Sequence, residues 1–297
     1  MGKKSLASSE DKGQLERKNT TMPGLTSIRM KLLACFVAIS ILPLVIVGSI
    51  VYSNSRRTLD QRIKSELNIS AKGIAGKVST FIEGKKGRTL DFCSDGIIKD
   101  GLTYYDPDDP NVSSLVKNTN QHLVKNKMSL DPYLEDIIIL NLKGKVTFAT
   151  NDKYLGKDKS KKDYYIAIAK YFKDKEFLKK LQESPTRLVY ATDIYISDDL
   201  KTPTLSISNI VTARATGLPL GVLVNRYKGD MLNTELEKEG NILGRGGKAF
   251  VVNKDGYLLT IPKFVEVKDK KEAILKEQIK TRPVTRAQAK GEEVLTT

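Results

Sequence analysis

Residues 32–55, LLACFVAISILPLVIVGSIVYSNS, contain no charged side chain. Wound as an α-helix at about 1.5 Å per residue, such a run crosses a hydrocarbon core of about 30 Å. Pro43 falls mid-run, which spanning helices tolerate. Tyr52 stands near the far end, where an interfacial aromatic is at home. A cleaved signal peptide needs a short basic start, an apolar run of about 7–15 residues and a small-x-small cleavage site. Here residues 1–31 form a long polar lead, the apolar run is too long, and the exit Val51-Tyr52-Ser53 is a poor cleavage site. The sequence therefore predicts an uncleaved anchor in a lipid bilayer, in preference to a buried helix of a soluble protein.

The flanks set the orientation. Lys3, Lys4, Lys12, Arg17, Lys18, Arg29 and Lys31 precede the run, so the N-terminus is expected inside. Arg56 and Arg57 just after it pull the other way, but the tail is small and the large remainder is then the exported part. Residues 1–28, rich in Lys, Ser, Gly and Glu, are expected to be disordered.

The net charge of +15 raises nucleic acid as a partner. Against it, the basic residues are spread along the whole chain and interleaved with acids, with no nucleic-acid motif among them. A basic surface facing anionic lipid or a carboxylate ligand fits better. Two cysteines, Cys35 and Cys93, allow neither a disulfide framework nor a metal cluster. The single histidine, His122, sits in a polar stretch and reads as a surface residue.

After the membrane, residues 56–92 read as one long helix. Leu59, Ile63, Leu67, Ile74, Val78 and Phe81 recur at steps of three, four and seven, which makes one apolar stripe. The stripe suits packing on the domain behind it, pairing with the same helix of a second chain, or both. Gly73 and Gly76 lower the helix preference, Gly84 and Gly87 are candidates to end or kink it, and Asp95-Gly96 is a turn candidate. Residues 100–132 are loop-rich, with Asp-Pro pairs at 106, 109 and 131. A short helix is expected over 113–127 and another over 163–182. Strands are expected over 137–140, 145–149, 188–196, 205–212 and 220–225, and a further helix over 231–240. The first two strands form a hairpin, with Gly144 of Asn141-Leu142-Lys143-Gly144 at a positive-φ position. Residues 249–260, AFVVNKDGYLLT, repeat that plan: an apolar strand, Asn-x-x-Gly, and a second strand ending in Thr. Two copies, each preceded by a helix, predict two similar modules in tandem.

In this order the chain resembles the double Cache sensor regions of bacterial chemoreceptors and sensor histidine kinases. The stretch Asp158-Lys159-Ser160-Lys161-Lys162-Asp163-Tyr164-Tyr165 is similar to that family's D-x-S-x-R-x-Y-F/Y segment. Residues 204–222 look like the strand–turn–strand that closes the distal module. Residues 244–260 look like the glycine-led strand and N-x-D-G turn of the proximal one. The resemblance implies an α+β fold. Residues 1–31 are expected to form a cytoplasmic tail, 32–55 a transmembrane helix and 56–98 a long extracytoplasmic helix. Two tandem PAS-like modules with antiparallel sheets come after it: a membrane-distal Cache module over 99–228 and a membrane-proximal one over 229–297. The second is expected to be incomplete, because the chain stops in what reads as a strand, and any output module lies beyond.

The resemblance also implies a small-molecule ligand in the distal module. Carried over position by position, its contacts are Ser160, Lys162, Tyr164 and Tyr165, with Asp193 and Tyr195 on the following strand. A cation holds a ligand carboxylate, aromatic walls exclude water, and an acid or hydroxyl reads a polar group. The amino-acid-binding pattern Y-x-x-x-x-R-x-W-Y is only partly kept: Lys157, Lys162 and Tyr164 replace its Tyr, Arg and Trp, Tyr165 matches, and its later Asp falls near Arg214. Lysine lacks arginine's bidentate fork, and a lost acid removes the partner of an α-ammonium group. Lys157, Lys162 and Arg214 suit an organic anion instead. A homodimer through the long helix is also implied.

No catalytic motif accompanies these features. Gly244-Arg245-Gly246-Gly247-Lys248 has Ala249 where a phosphate loop needs a hydroxyl and Ile242 where it needs its first glycine. Acidic pairs such as Asp198-Asp199 read as turn or surface residues. No enzyme activity, cofactor or metal is expected. An anchored binding protein without output and a tethered enzyme remain the alternatives to a receptor input region.

Overall fold

The computed structural model describes residues 27–183, 188–238, 249–261, 273–281, 284–285 and 288–289. The chain divides into two units, Met1–Arg62 and Ile63–Thr297. The described part of the first unit belongs to one element, the start of helix α1 (Ile28–Ser94). This helix is long and apolar enough to cross a membrane, by length and composition. Leu33, Phe36 and Leu44 on it are exposed.

In the second unit, α1 runs unbroken to Ser94 through Gly84 and Gly87, which do not end it. The apolar stripe divides. Ile74 is buried, and Val78 and Phe81 pack on the core, whereas Leu67 keeps an exposed face. Asp95 is a helix cap rather than part of a free turn. It is the N-cap of α2 (Gly96–Thr103), and its carboxylate accepts from the Ile97 and Ile98 N–H groups at 2.9 and 3.2 Å. Helix α3 (Val112–His122) passes into a π-turn at Leu123–Lys127 and a 3-10 turn at Met128–Leu130.

A six-stranded antiparallel sheet comes next: β1 (Leu134–Asn141), β2 (Val146–Ala149), β3 (Tyr190–Ala191), β4 (Tyr195–Ile196), β5 (Pro203–Thr212) and β6 (Pro219–Lys228), in the order β2-β1-β6-β5-β3, with β4 also on β5. The helix expected over 163–182 is two, α4 (Asp163–Ala169) and α5 (Lys175–Glu183). The strand expected over 188–196 is the two short pieces β3 and β4. Helix α6 (Met231–Lys238) closes the described run.

The long central strands are buried at nearly every position, so both sheet faces are covered. Alternation then sorts each strand. Ile137, Ile139, Leu223, Tyr227, Leu205 and Ile207 meet Phe92, Ile98, Leu102 and Leu123 of the helices. Ile138, Leu140, Val222, Val224 and Ile210 meet Tyr154, Tyr164 and Ile168. The long helix therefore lies on one face, and the α4 segment on the other.

The sequence echo has a structural counterpart. Asn141 Oδ1 accepts from the N–H groups of Lys143 and Lys145, and Asn253 Oδ1 accepts from those of Asp255 and Tyr257. Each asparagine donates to the carbonyl four residues on and accepts from a glycine three on, Gly144 or Gly256, with φ of +80° and +82°. In both, a later segment returns to the second strand: Lys159 N–H donates to Gly144 O at 2.8 Å, and Ile279 N–H to Gly256 O at 2.9 Å. Residues 244–248 and 290–297 lie outside the described residues, as do 1–26. So do the GRGGK run, the expected start of the second module's strand, its expected last strand, and nearly all of the expected disordered tail.

Candidate functional site

The α4 face of the sheet is apolar except at one end, where three neighbouring strands carry polar groups side by side. The register aligns Asp136 of β1 with Arg226 of β6, and Arg226 with Ser206 of β5. The Arg226 side chain is 1% exposed and that of Asp136 5%. The guanidinium grips the Asp136 carboxylate with two bonds, Nε to Oδ1 at 2.5 Å and Nη2 to Oδ2. Its third arm, Nη1, reaches Asp199 Oδ2 at 3.0 Å. The plane of Arg226 also lies over the Tyr154 ring, 4.5 Å from its centroid.

Asp199 is shared. Lys159 Nζ donates to both of its oxygens, at 2.9 and 2.7 Å, and Lys159 is itself buried. Beside them Lys162 pairs with the exposed Asp198. The Tyr195 hydroxyl bonds Ser206 Oγ at 2.7 Å, and Ser208 Oγ donates to the Tyr164 carbonyl at 2.7 Å. Three cations thus face three carboxylates. Asp136 is fixed on a central strand, while Asp198 and Asp199 share the loop between β4 and β5. In that loop Lys201 has φ +58°, a conformation a non-glycine residue adopts at a penalty of about 1–3 kcal/mol. It is held by Lys201 N–H to Ser197 O at 2.8 Å and Ser197 N–H to Thr202 O at 3.0 Å.

Electrostatics ties the groups together. Burial alone would lower the pKa of Arg226, but Asp136 in contact more than offsets this, and it stays above its ordinary value. Burial also opposes ionisation of Asp199, yet Lys159 and Arg226 hold its carboxyl below the usual range. The bond that Lys162 donates to Asp198 raises the lysine's pKa, against a smaller effect of burial. Burial pushes the Tyr164 phenol up, and Tyr195 adds to the effect.

Of the residues expected from the sequence, Lys162, Tyr164 and Tyr195 come together at this cluster. Ser160 and Tyr165 lie at the far end of the same face. The Ser160 backbone sits against Gly144, and the Tyr165 hydroxyl donates to the Leu142 carbonyl at 2.7 Å. Asp193 is exposed and accepts from the N–H of Ile194. Arg214 stands on the β5–β6 turn, paired with Asp100 at 3.4 Å on the exterior, so it is not among the cluster's cations. Lys157 is exposed too, over the Tyr154 ring. The reading of Asp199 as a turn or surface acid is corrected by its bonds to Lys159 and Arg226. His122 is half-buried and bonds Asp95 at 3.2 Å. Sequence reasoning misses Arg226, Asp136 and Lys159 altogether. The only signal for the first two is a charge at each end of an apolar run.

A cavity of about 960 Å³ lies elsewhere, between α3 and β2, among Tyr105, Val116, Val146 and Leu155. Its one buried amide, Asn120, already accepts from the Ala149 N–H and donates to Asp152. Its lining also carries the charged Lys117, Lys125 and Asp152. Among the described residues no cluster of His, Cys, Asp and Glu could hold a metal ion.

No protein-family model matches the chain, and no curated protein matches it. Its fold is similar to several solved sensor domains. The sensor domain of the V. cholerae histidine kinase DctB has 12% identity over 67% of this chain and 67% of that one, with a TM-score of 0.49. The ligand-binding domain of the Campylobacter jejuni chemoreceptor Tlp3, bound to 4-methylisoleucine, has 16% identity over 76% and 77%, with a TM-score of 0.46. That of the Pseudomonas fluorescens chemoreceptor CtaA, bound to L-valine, has 17% identity over 73% and 80%, with a TM-score of 0.44. The two chemoreceptor neighbours are ligand-binding domains, and the kinase neighbour is a sensor domain.

Proposed function

We propose that the chain is the input region of a membrane-anchored receptor of the double Cache kind, binding a small organic anion at the Arg226–Lys159–Lys162 face. The observation that carries this is the two-sidedness of β6. Arg226 on one face belongs to the buried charge cluster, while Asn225 and Tyr227 on the other contact α1, the helix that holds the membrane-length apolar run. Binding at the cluster biases two arrangements of β6 against α1, and it does so only as far as the ligand prefers one of them.

In this reading residues 1–31 stay cytoplasmic, 32–55 span the bilayer, and the rest is extracytoplasmic. The repeated asparagine turn supports a second module over 229–297 after the first over 99–228. The exposed Leu59, Ile63 and Leu67 support pairing of two chains along α1. The region senses and does not catalyse; kinase or chemotaxis output belongs to a separate module.

The test is a thermal-shift screen of the full chain in lipid nanodiscs against organic acids, amines and amino acids. The expected result is a rise in melting temperature with carboxylates that disappears in Lys162→Gln. A shift with amines alone, or with amino acids alone, overturns the anionic ligand. A shift with none of them overturns the binding site.

A further inference from the structure

Asp199 occupies the atoms that a ligand carboxylate would need. It bridges Lys159 Nζ and Arg226 Nη1, the outward-facing donors of the buried cluster. The inner donors of Arg226 are taken by Asp136, which is fixed on β1. Asp198, the next residue back, neutralises Lys162. Both acids sit on the five-residue loop 197–201, whose other ties are two backbone bonds across a left-handed Lys201, a bond from the Leu200 N–H to Ser197 Oγ at 3.3 Å and the packing of Leu200 on the core of the α4 face. Moving that one loop therefore uncovers three cations at once and removes two negative charges.

We propose that the loop 197–201 is a lid carrying built-in surrogate ligands, and that a small organic dianion binds by displacing Asp199 and Asp198 from Arg226, Lys159 and Lys162. One ligand carboxylate bridges Arg226 and Lys159 as Asp199 does, and the second meets Lys162. Charge at the cluster is conserved through the exchange, so the displacement exposes no unpaired buried cation. The dissociation constant is set by competition: the ligand must outbid a tethered carboxylate, and weakening that carboxylate tightens binding. The inference rests on the reading of this face as the ligand site.

The experiment is calorimetric titration of the full chain in nanodiscs with malonate at low salt, for the unaltered protein and for Asp199→Asn, with hydrogen exchange of loop 197–201 in the unaltered protein. The expected result is binding at least tenfold tighter in Asp199→Asn, and faster exchange at the Leu200 and Lys201 amides when malonate is added. If malonate binds the unaltered protein but Asp199→Asn binds no tighter, or the loop amides exchange no faster, the lid is overturned and the site stands. If neither form binds malonate, the dianion proposal falls; if acetate and sulfate also fail, the site falls with it. Should Asp199→Asn not fold, the exchange measurement decides alone.

Discussion

Arg226 and Tyr227 are consecutive on β6 and face opposite ways. The first grips Asp136 within the buried charge cluster. The second places its ring 5.6 Å from the Lys85 ammonium of α1 and its hydroxyl 3.5 Å from the Lys85 carbonyl. Asn225, on the same side as Tyr227, donates to Thr89 Oγ1 of α1 at 3.0 Å. A displacement of β6 at the cluster thus reaches α1 within one residue of chain.

Arg226→Met leaves Asp136 buried without its partner, and a charge stranded in this way lowers stability by about 3–5 kcal/mol. Asp136→Leu combined with Arg226→Met restores most of it, because the pair is then replaced by apolar groups. Urea denaturation of the unaltered protein and the two variants checks this. Equal losses in the single and double variants would mean that the two residues do not act as a pair.

Lys85 lies between the rings of Phe81 and Tyr133, 4.7 Å from each centroid, with Asp131 accepting at 2.7 Å. Lys85→Met removes the partner of an Asp131 side chain that is 5% exposed, and the loss expected is about 3 kcal/mol. Anion affinity at the opposite face should change less than threefold. A large change in affinity would place Lys85 in the ligand site itself.

Acid should loosen the α2 cap. Burial opposes ionisation of Asp95, but the bonds from Lys127 and the Ile98 amide, the Lys127 charge and His122 outweigh it, so its carboxyl lies below the ordinary value. A depressed pKa stabilises the fold above the unfolded value of about 3.9, and that stability is lost as pH falls through the folded value. Stability plotted against pH should therefore drop more steeply below about pH 4 in the unaltered protein than in Asp95→Asn. Parallel curves would remove Asp95 from the acid response.

The β1–β2 turn gives a graded pair of variants. Asn141→Ala forfeits the two side-chain bonds to Lys143 and Lys145 and should lower stability by about 1–2 kcal/mol. Gly144→Ala should lower it further, because its Cβ falls 2.6 Å from the Ser160 Cα and φ is positive. Thermal unfolding ranks the two, and the opposite order would contradict the turn geometry.

Membrane attachment has its own check. The full chain should stay with membranes through an alkaline wash, and Val45→Arg, a charge mid-run, should release a substantial fraction. Equal retention of both would remove the anchor role of residues 32–55.

Much of the sheet is legible in the residues. The run Ile137-Ile138-Ile139-Leu140 and the Asn-x-x-Gly turn are local signals, and the structure places β1, β2 and their turn where they fall. The charge cluster is not local. Asp136 and Arg226 stand one position outside the strands expected from 137 and up to 225, where a charge reads as a solvated strand end. Their pairing spans 90 positions, and no periodicity reports it. Asp199 escapes in the same way: half of an acidic pair that reads as a surface turn, it owes its role to a lysine 40 residues earlier. Lys162 and Tyr164 are within reach of sequence reasoning because they lie in the segment that resembles a family motif, and Tyr195 because it lies on the strand that follows it. Arg214 enters only for its charge and position in the chain, and the long β5–β6 hairpin carries it to the far end of the sheet.

The glycines of α1 bear on how a signal leaves the site. Gly73, Gly76, Gly84 and Gly87 all lie inside the helix, and a Cβ on any of them meets nothing within 4 Å. No neighbour among the described residues requires their smallness, yet each weakens the helix by about 1 kcal/mol relative to alanine. The stretch between the apolar run and the Thr89–Asn225 contact therefore holds four points at which the helix itself resists bending least, two of them, Gly73 and Gly76, ahead of the packed Val78, Phe81 and Lys85. Replacing the four by alanine would convert a spring into a stiff shaft.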